Sequence, residues 1–317
     1  MAVSTYLDFE KPVADLETRI AELEATGGEA VGEEVGKLRE KASKQLENIY
    51  SHLSAWQKTQ VARHPDRPHF LDYVDGLFDE FVELAGDRKF MNDDAILGGL
   101  ARFRGKPVVV IGHEKGRDTQ TRLKHNFGMG KPEGYRKAVR LMEMAGRFGM
   151  PVIALVDTSG AFPGKGGEER GQAEALARSI EACLTLDTPM VTVIVGEGGS
   201  GGAVALASGN KVLMLEHAVY SVISPEGAAS ILFRDSKRSK DTAEAMKITA
   251  QDLEKFKIVD GIVPEPMGGA HRDPKAAMVK VGDAIEACLN QLANLTPEEL
   301  RAQRKDRFYA IGREGLA

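Results

Sequence analysis

The chain has 317 residues, of which 42% are hydrophobic and 28% charged, and its net charge at pH 7 is −5. The length predicts about two domains, and the composition is typical of a globular protein. The negative charge offers no support for binding to nucleic acid or anionic membranes. The sequence shows neither a secretory signal pattern nor an apolar run long enough to span a bilayer. We therefore expect a cytoplasmic protein in which Cys183 and Cys288 are packing residues.

The N-terminal residues have the apolar spacing of a helical hairpin. Leu16, Ile20 and Leu23 recur at helical intervals in a helix predicted over 8–26, and a second helix is predicted over 33–60. The glycine-rich stretch 26–32 between them predicts a turn. Because so thin a hairpin cannot bury its own apolar stripe, we expect it to pack on the main body or on a partner subunit.

Residues 63–148 combine helices with a strand pair. A proline-punctuated link over 63–68 precedes a helix predicted to carry Leu71, Val74, Phe78 and Phe81 on one face. Two strands of a hairpin are predicted over 95–104 and 107–112, and a helix over 135–148. The loop before that helix is either solvated or a clamp for a phosphorylated or acidic partner. Its basic residues are Lys115, Arg117, Arg122, Lys124, His125 and Lys131.

Two units of strand, glycine turn and helix follow, 38 residues apart. The first predicts a strand over 151–156, a turn over 157–164 and a helix over 168–184. The second predicts a strand over 190–195, a turn over 196–202 and a short helix over 203–208. Five of the seven residues in this second turn are glycine. It leaves backbone N–H groups free at a helix N-terminus, where an anionic oxygen binds well.

The remaining elements predict the end of the sheet and a helical tail. Strands are predicted over 211–215, 219–223 and 258–263, a helix over 242–256, and amphipathic helices over 275–307 with Thr296 as an N-cap. The charged stretch 234–240 predicts a solvated loop. We divide the chain into an N-terminal helical arm (1–62), a main domain (63–295) and a C-terminal helical tail (296–317).

Three interpretations compete for the second glycine turn. Gly196, Gly198 and Gly201 satisfy the dinucleotide-binding spacing, but the predicted helix is too short for that unit. Ser200 between two glycines satisfies the nucleophile-elbow pattern, and a hydrolase would then need a later acid and histidine such as Asp260 and His271.

The third interpretation is an oxyanion hole without a side-chain nucleophile. The two turns lie at one edge of the predicted sheet and face one cleft, so their backbone donors suit a reaction in which negative charge develops on a carbonyl oxygen. In a water-poor cleft each donor can contribute roughly 3–4 kcal/mol to transition-state stabilisation. The seven histidines are scattered, so we expect no metal site in this chain.

Several long motifs of the chain resemble those of a known family. Eight segments, spread over essentially the whole chain, closely resemble the alpha subunits of bacterial acetyl-CoA carboxylase carboxyltransferase. They are LDFEKP (7–12), ARHPDRP (62–68), DEFVELAGDR (79–88), NFGMGKPEGYRKA (126–138), DTSGAFPGKGGEERGQ (157–172), GEGGSGGAVA (196–205), YSVISPEG (220–227) and PEPMGGAHR (264–272). One departure is Ser159, where members of the family can have proline.

The resemblance implies an α/β protein of the crotonase (ClpP-like) fold, built from repeated ββα units, with an N-terminal helical hairpin and C-terminal helices. It implies transfer of a carboxyl group from carboxybiotin, borne on the biotin carboxyl carrier protein, to acetyl-CoA. The product is malonyl-CoA, in the first committed step of fatty acid synthesis. The implied partners are a carboxyltransferase beta subunit in an α2β2 assembly, the carrier protein, and biotin carboxylase as part of an ATP-dependent complex. The zinc ribbon and most coenzyme A contacts would belong to the beta subunit.

The resemblance also implies the residues of the site. The backbone amides of Gly201 and Gly202 would form the oxyanion hole for the biotin ureido oxygen. The residues implied to line the same pocket are Gly160, Ala161, Phe162, Gly198, Gly199 and Ser200. The alternatives that stay open are a stand-alone crotonase-type enoyl-CoA hydratase, a Clp-like serine hydrolase and a scaffold for the beta subunit.

Overall fold

One sheet of eight strands organises the protein, which a computed structural model describes over residues 5–26 and 29–313. The strands are β1 (Phe78–Glu83), β2 (Ile96–Phe103), β3 (Lys106–His113), β4 (Val152–Thr158), β5 (Met190–Gly199), β6 (Lys211–Leu215), β7 (Val219–Ser221) and β8 (Gly261–Val263). Their order across the sheet is β1-β2-β3-β4-β5-β6-β8, and β7 pairs with β5.

Helices connect these strands and cover the sheet. Among the described residues they are α1 (Lys11–Thr26), α2 (Glu29–Tyr50), α3 (Ala55–Ala62), α4 (Phe70–Leu77), α5 (Thr119–Lys124), α6 (Pro132–Phe148), α7 (Lys165–Glu169), α8 (Gln172–Thr185), α9 (Ser200–Val204), α10 (Pro225–Phe233), α11 (Ser239–Met246), α12 (Ala250–Lys255), α13 (Pro274–Leu292) and α14 (Pro297–Ala310). In this part of the chain, no helix is both long and apolar enough to cross a membrane.

The centre of the sheet is parallel, and this positions the two glycine turns. Strands β1, β2 and β3 pair antiparallel, as the predicted hairpin requires, whereas β3, β4, β5, β6 and β8 pair parallel. Every residue of β4 and β5 is buried, which explains their continuous apolar runs. Because β4 and β5 are parallel neighbours, their carboxyl ends and the turns that follow them lie side by side.

Two predicted helices are wrong, because helix capping and strand pairing end them at residues that apolar periodicity does not indicate. The helix over 33–60 is two helices: α2 ends at Tyr50, and α3 begins after Ser54. The hydroxyl of Ser54 accepts from the Gln57 amide, while the Gln57 side chain accepts from the Ser54 amide. The helix predicted through Phe81 ends at Leu77, because the following residues pair with β2 as an edge strand.

Two further helix predictions are corrected near the glycine turn. The helix over 242–256 divides into α11 and α12, because Lys247 adopts a left-handed conformation with φ of 53° that ends α11. The helix over 203–208 starts earlier, at Ser200, and ends at Val204. With five residues, α9 is too short for the crossover helix of a dinucleotide-binding unit.

The N-terminal arm packs on the main body through its inner half. Val13, Leu46, Tyr50 and Val61 form a buried apolar cluster within the arm, and the Tyr50 ring packs against that of His217 in the main domain, with 5.4 Å between the ring centroids. The outer half of α1 and α2 forms a separate small cluster of its own. The predicted turn over 26–32 is too long, because α1 extends to Thr26 and α2 begins at Glu29; residues 27 and 28 lie outside the described residues. The boundaries of the arm and tail stay a prediction.

A buried arginine holds the C-terminal tail against the main domain through hydrogen bonds. Arg304 of α14 is fully buried and donates to the carbonyl oxygens of Cys183, Leu186 and Thr188 at 2.5–3.0 Å. Its Nε also donates to Oδ1 of Asn210 at 2.8 Å. These acceptors lie at the end of α8 and the approach to β5, so α14 fixes the strand that leads to the second glycine turn. Both cysteines are unpaired and buried, as predicted.

Candidate active site

The two glycine turns touch each other at the carboxyl ends of β4 and β5. A Cβ on Gly199 would lie 2.2 Å from the carbonyl carbon of Ser159, and one on Gly202 would lie 2.6 Å from the Ala161 nitrogen. Real Cβ atoms essentially never approach within 3.0 Å of such atoms. Glycine is therefore required at both positions for the backbones to come this close.

The backbone donors at this contact differ in what they bind. The Gly160 N–H is occupied, because it donates to Oγ1 of Thr158 at 3.1 Å. The Phe162 N–H donates to the Gly130 carbonyl at 2.9 Å. None of the described residues accepts from the Ala161 N–H, and the N–H groups of Gly201 and Gly202 lie in the first turn of α9, which offers no intrahelical acceptor. The N–H groups of Ala161, Gly201 and Gly202 are thus the donors available to a ligand.

An apolar cavity of about 470 Å³ adjoins the start of α9. Ser200 and Gly201 form one end of the cavity, and its polar lining is completed by Ser221 and Lys247. The remaining walls are apolar or aromatic and come from Val204, Tyr220, Val222, Met246, Ile248, Leu253, Phe256 and Ile258. No acidic residue or histidine is among these lining residues. Such a cavity suits a mostly apolar ring that presents one hydrogen-bond acceptor to the glycine turn.

Ser200 has the strained backbone of a nucleophile elbow but lacks a catalytic base. Its φ is 54°, in the left-handed region, and its side chain is exposed. Asp260 instead accepts from Nε of Arg307 at 2.8 Å, and His271 is buried with its ring stacked 3.8 Å from that of His64. Because these groups are engaged elsewhere, the structure does not support the Ser-Asp-His arrangement that a hydrolase requires.

The buried carboxylate of Asp157 links the ends of β4 and β5, from which the two turns extend. Asp157, the residue before Thr158 at the end of β4, accepts from the Glu197 N–H of β5 at 2.9 Å. Its carboxylate also contacts Nζ of Lys115 at 2.6 Å and Nδ1 of His69 at 3.4 Å. Burial alone would raise the pKa of Asp157, but Lys115 and His69 hold it far below its ordinary value. The carboxylate therefore stays ionised and fixes the spacing of the turns.

We expect Asp157→Ala to lower by about 10- to 100-fold any turnover that depends on the two turns, because a shift of about 1 Å in a positioned group has such effects. Asp157→Asn keeps an oxygen for the Glu197 N–H and should lose less. Steady-state kinetics with a measured partner affinity checks this. If kcat of Asp157→Ala stays within about twofold of the wild-type value, the turns have not moved by about 1 Å. The carboxylate would then not position them.

The basic loop is folded onto the protein rather than freely solvated. Lys115 binds Asp157, Arg117 pairs with Asp72, and Nδ1 of His125 bonds to the Asp94 carbonyl at 2.5 Å. The loop borders a second cavity, of about 480 Å³, on the same edge of the sheet. Its lining includes Arg63, His64, His69, Lys115, Arg122, Phe127, Ser159 and Glu197. A clamp for an acidic partner stays a prediction.

A single group of described residues has the spacing of metal ligands. Oxygen and nitrogen atoms of Glu10, His64 and His271 lie within 4.8 Å of one another. Both nitrogens of His64 are already hydrogen-bonded, one to the Thr5 carbonyl and the other to the Asp66 amide. Since the two imidazole rings are stacked face to face, we interpret the group as a packing contact.

The structure brings most of the predicted site residues together. Gly160, Ala161, Gly199 and Gly202 form the contact between the turns, and Ser200 and Gly201 line the apolar cavity. Two predicted residues contribute differently. Gly198 lies beneath the Tyr220 ring, and Phe162 faces Lys131 and Gly164 instead of either cavity.

Sequence reasoning missed the positioning role of Asp157 and the far wall of the cavity. The available signal for Asp157 was an acidic residue directly after a wholly apolar strand. Nothing in the local sequence indicates that residues 246–258 face the glycine turn, because that contact depends on the tertiary fold.

Comparison with known proteins places the chain among carboxyltransferases. Residues 6–312 match the family described as acetyl co-enzyme A carboxylase carboxyltransferase-like. The chain is 66% identical over 315 residues to the acetyl-coenzyme A carboxylase carboxyl transferase subunit alpha of Caulobacter vibrioides, and the match covers 98% of each chain. It is 62% identical over 313 residues to the protein of that name from Methylobacterium nodulans, covering 98% of this chain and 99% of the relative.

Solved structures share the fold at low sequence identity. Transcarboxylase 12S aligns with a TM-score of 0.57 and 19% identity over 71% of this chain and 42% of its own. The beta subunit of geranyl-CoA carboxylase from P. aeruginosa aligns with a TM-score of 0.55 and 18% identity over 78% of this chain and 46% of its own. The predicted crotonase fold is therefore confirmed.

Proposed function

The chain belongs to the acetyl co-enzyme A carboxylase carboxyltransferase-like family, and we propose from this premise that its glycine turns form one half of a split active site. The chain is a carboxyl transferase subunit of the alpha type. The reaction we propose is carboxyl transfer from carboxybiotin on a separate carrier protein to acetyl-CoA. Its product, malonyl-CoA, would serve fatty acid synthesis.

The observation that carries this proposal is that Gly201, whose N–H has no acceptor among the described residues, lines an apolar cavity. Biotin would supply the transferable carboxyl group from a compact, largely apolar bicyclic ring with one ureido carbonyl. The apolar walls fit the ring, and the Gly201 N–H would donate to the ureido oxygen as negative charge develops there. Because α9 and β4 fix the donor before the reaction, this stabilisation needs no reorganisation of the protein. The N–H of Gly202 would be the second donor of this oxyanion hole, and the absence of a side chain at Gly202 allows Ala161 to approach.

No carboxylate or histidine lines this cavity, which agrees with a site that a second subunit completes. The nearby carboxylates Glu197 and Glu226 are both engaged by Arg63, at 2.6 Å and 2.7 Å. This also weighs against the enoyl-CoA hydratase alternative, whose carboxylates must be free to move a proton. We propose that a beta subunit supplies the acyl-CoA side in an α2β2 assembly, with biotin carboxylase recharging the carrier. We propose the cytoplasm as the compartment, consistent with two unpaired cysteines.

The test is malonyl-CoA formation from acetyl-CoA and a carboxylated biotin carrier. The chain alone should be inactive, and activity should appear when a purified beta subunit is added. Absence of activity in a verified complex with an active carrier would contradict the proposal. Hydration of an enoyl-CoA by the chain alone would instead establish the hydratase alternative.

A further inference from the structure

A buried tyrosine hydroxyl lies at the contact between the two glycine turns. Tyr135 of α6 is fully buried, and its hydroxyl has no hydrogen-bond partner among the described residues. A Cβ on Gly202 would lie 2.9 Å from this hydroxyl oxygen, 2.6 Å from the Ala161 nitrogen and 2.7 Å from the Gly160 carbonyl carbon. One face of the Gly202 Cα is therefore covered jointly by the Tyr135 hydroxyl and by the backbone of the first turn.

The end of the Tyr135 ring packs against a backbone segment that also supports the first turn. A Cβ on Gly130 would lie 2.9 Å from both Cζ and the hydroxyl oxygen of Tyr135, so the ring directly contacts this segment. The Gly130 carbonyl accepts from the Phe162 N–H at 2.9 Å and from Nε2 of Gln172 at 2.8 Å. The hydroxyl that contacts Gly202 of the second turn is thus fixed relative to the first turn.

Hydrogen bonding does not explain a tyrosine at this position. A buried hydroxyl without a partner lowers stability, because it loses its hydrogen bonds to water and gains none in the protein. Phenylalanine would fill the same place in the core without that loss. Burial raises the pKa of Tyr135 well above its ordinary value, so the hydroxyl keeps its proton and moves none in a reaction. What the oxygen contributes here is contact with Gly202.

We propose that Tyr135 is a positioning residue for the oxyanion hole, and that its hydroxyl oxygen fixes the distance between Gly202 and Ala161. This inference rests on the proposed function, in which the N–H groups of Gly201 and Gly202 stabilise the developing charge. Such donors must lie about 2.7–3.1 Å from the charged oxygen, so a small displacement weakens them. Without the hydroxyl, Gly202 can move into the gap and carry the first turn of α9 with it.

The test is a double-mutant cycle of Tyr135→Phe and Gly202→Ala in the full-length chain. With saturating beta subunit, Tyr135→Phe should lower kcat about tenfold and change KM for acetyl-CoA by less than about twofold, because the donors act on charge that develops in the transition state. Gly202→Ala should lower kcat at least about threefold less in the Tyr135→Phe background, because its methyl group can enter the vacated space. Urea midpoints of the isolated chain should show the same coupling.

The matched control is Tyr73→Phe. Tyr73 of α4 is also fully buried, and its hydroxyl likewise has no hydrogen-bond partner among the described residues. Unlike the Tyr135 hydroxyl, it is not among the atoms nearest to a Cβ on Gly202. Tyr73→Phe should therefore keep kcat within about twofold of wild type, and its effects should add to those of Gly202→Ala.

The outcomes separate this inference from the proposed function. If the wild-type pair transfers carboxyl groups, an unchanged kcat of Tyr135→Phe, or additive effects of Tyr135→Phe and Gly202→Ala on kcat, would overturn the inference alone. If the wild-type pair transfers none, the proposed function is contradicted and the urea midpoints decide: coupling supports the role of Tyr135 in spacing the turns, and additivity overturns it. If Gly202→Ala alone does not fold, recovery of folding in the double variant replaces the midpoints, and an unfolded double variant overturns the inference.

Discussion

Gly202→Val is expected to lower carboxyl transfer by the reconstituted pair at least about 100-fold, the scale of losing an oxyanion-hole donor. A Cβ at this position would lie 2.6 Å from the Ala161 nitrogen and 2.7 Å from the Gly160 carbonyl carbon. The two turns must therefore move apart, which displaces the Gly201 N–H beside them. Initial rates of malonyl-CoA formation at saturating beta subunit measure the effect, and Gly202→Ala should give a smaller loss.

The matched control for this prediction is Ser200→Ala. Ser200 is exposed and adjacent to the same turn, and its hydroxyl has no role in an oxyanion hole made of backbone groups. Its turnover should stay close to wild type. Loss of activity in Ser200→Ala would return support to the hydrolase alternative. Wild-type turnover by Gly202→Val would instead show that the chain is only a scaffold for the beta subunit.

Arg67→Met is expected to destabilise the protein by about 3–5 kcal/mol, the scale of leaving one charge of a buried ion pair uncompensated. Arg67 and Glu265 are almost completely buried and form two parallel hydrogen bonds of 2.7 Å and 2.9 Å. Arg67 also donates to the Val195 carbonyl of β5 at 2.7 Å. The pair thus joins two of the family-like motifs beneath the second glycine turn. Urea unfolding measures the free energy of unfolding.

The control for this substitution is Arg178→Met. Arg178 forms ion pairs with Glu174 and Glu181 in which all three side chains are about 60% exposed. Pairs of this kind contribute about 0–1 kcal/mol. If Arg67→Met and Arg178→Met lower the free energy of unfolding by similar amounts, the buried pair is not the important contribution.

The Arg67–Glu265 pair should make the free energy of unfolding depend on pH in the acid range. Burial alone would raise the pKa of Glu265, but the Arg67 guanidinium outweighs burial and lowers it from its ordinary value of 4.5 to about 2. A carboxyl whose pKa is lower in the folded state stabilises fully above its unfolded pKa. This contribution should be lost as the pH falls from 4.5 towards 2. Urea unfolding of wild type and Glu265→Gln across that range checks this, since the variant should lack this part of the pH dependence.

The sequence allowed the central sheet and the glycine turns to be predicted because each depends on local chemistry. Strands β4 and β5 are buried on both faces, so their apolar runs are continuous. Gly199 and Gly202 are glycines because backbone atoms of the other turn occupy the space of a side chain. Signals of this kind are visible in a single sequence.

The errors arose where pairing or capping overrides periodicity. Phe78 and Phe81 fit a helical face as well as a strand, and only pairing with β2 decides between them. Ser54 and Lys247 interrupt segments that have helical spacing on both sides. The Asp157–Lys115 contact and the cavity wall over 246–258 join distant segments, so no local pattern could have predicted them.

The most direct test replaces the Gly201 amide by an ester, through incorporation of glycolic acid at position 201. This change removes one N–H group and adds no side chain, so it isolates the backbone donor of a residue that lines the cavity. With assembly and thermal stability verified, kcat for malonyl-CoA formation should fall by about 10²- to 10³-fold. A kcat equal to that of the wild-type pair would contradict the assignment of this backbone group as the oxyanion donor.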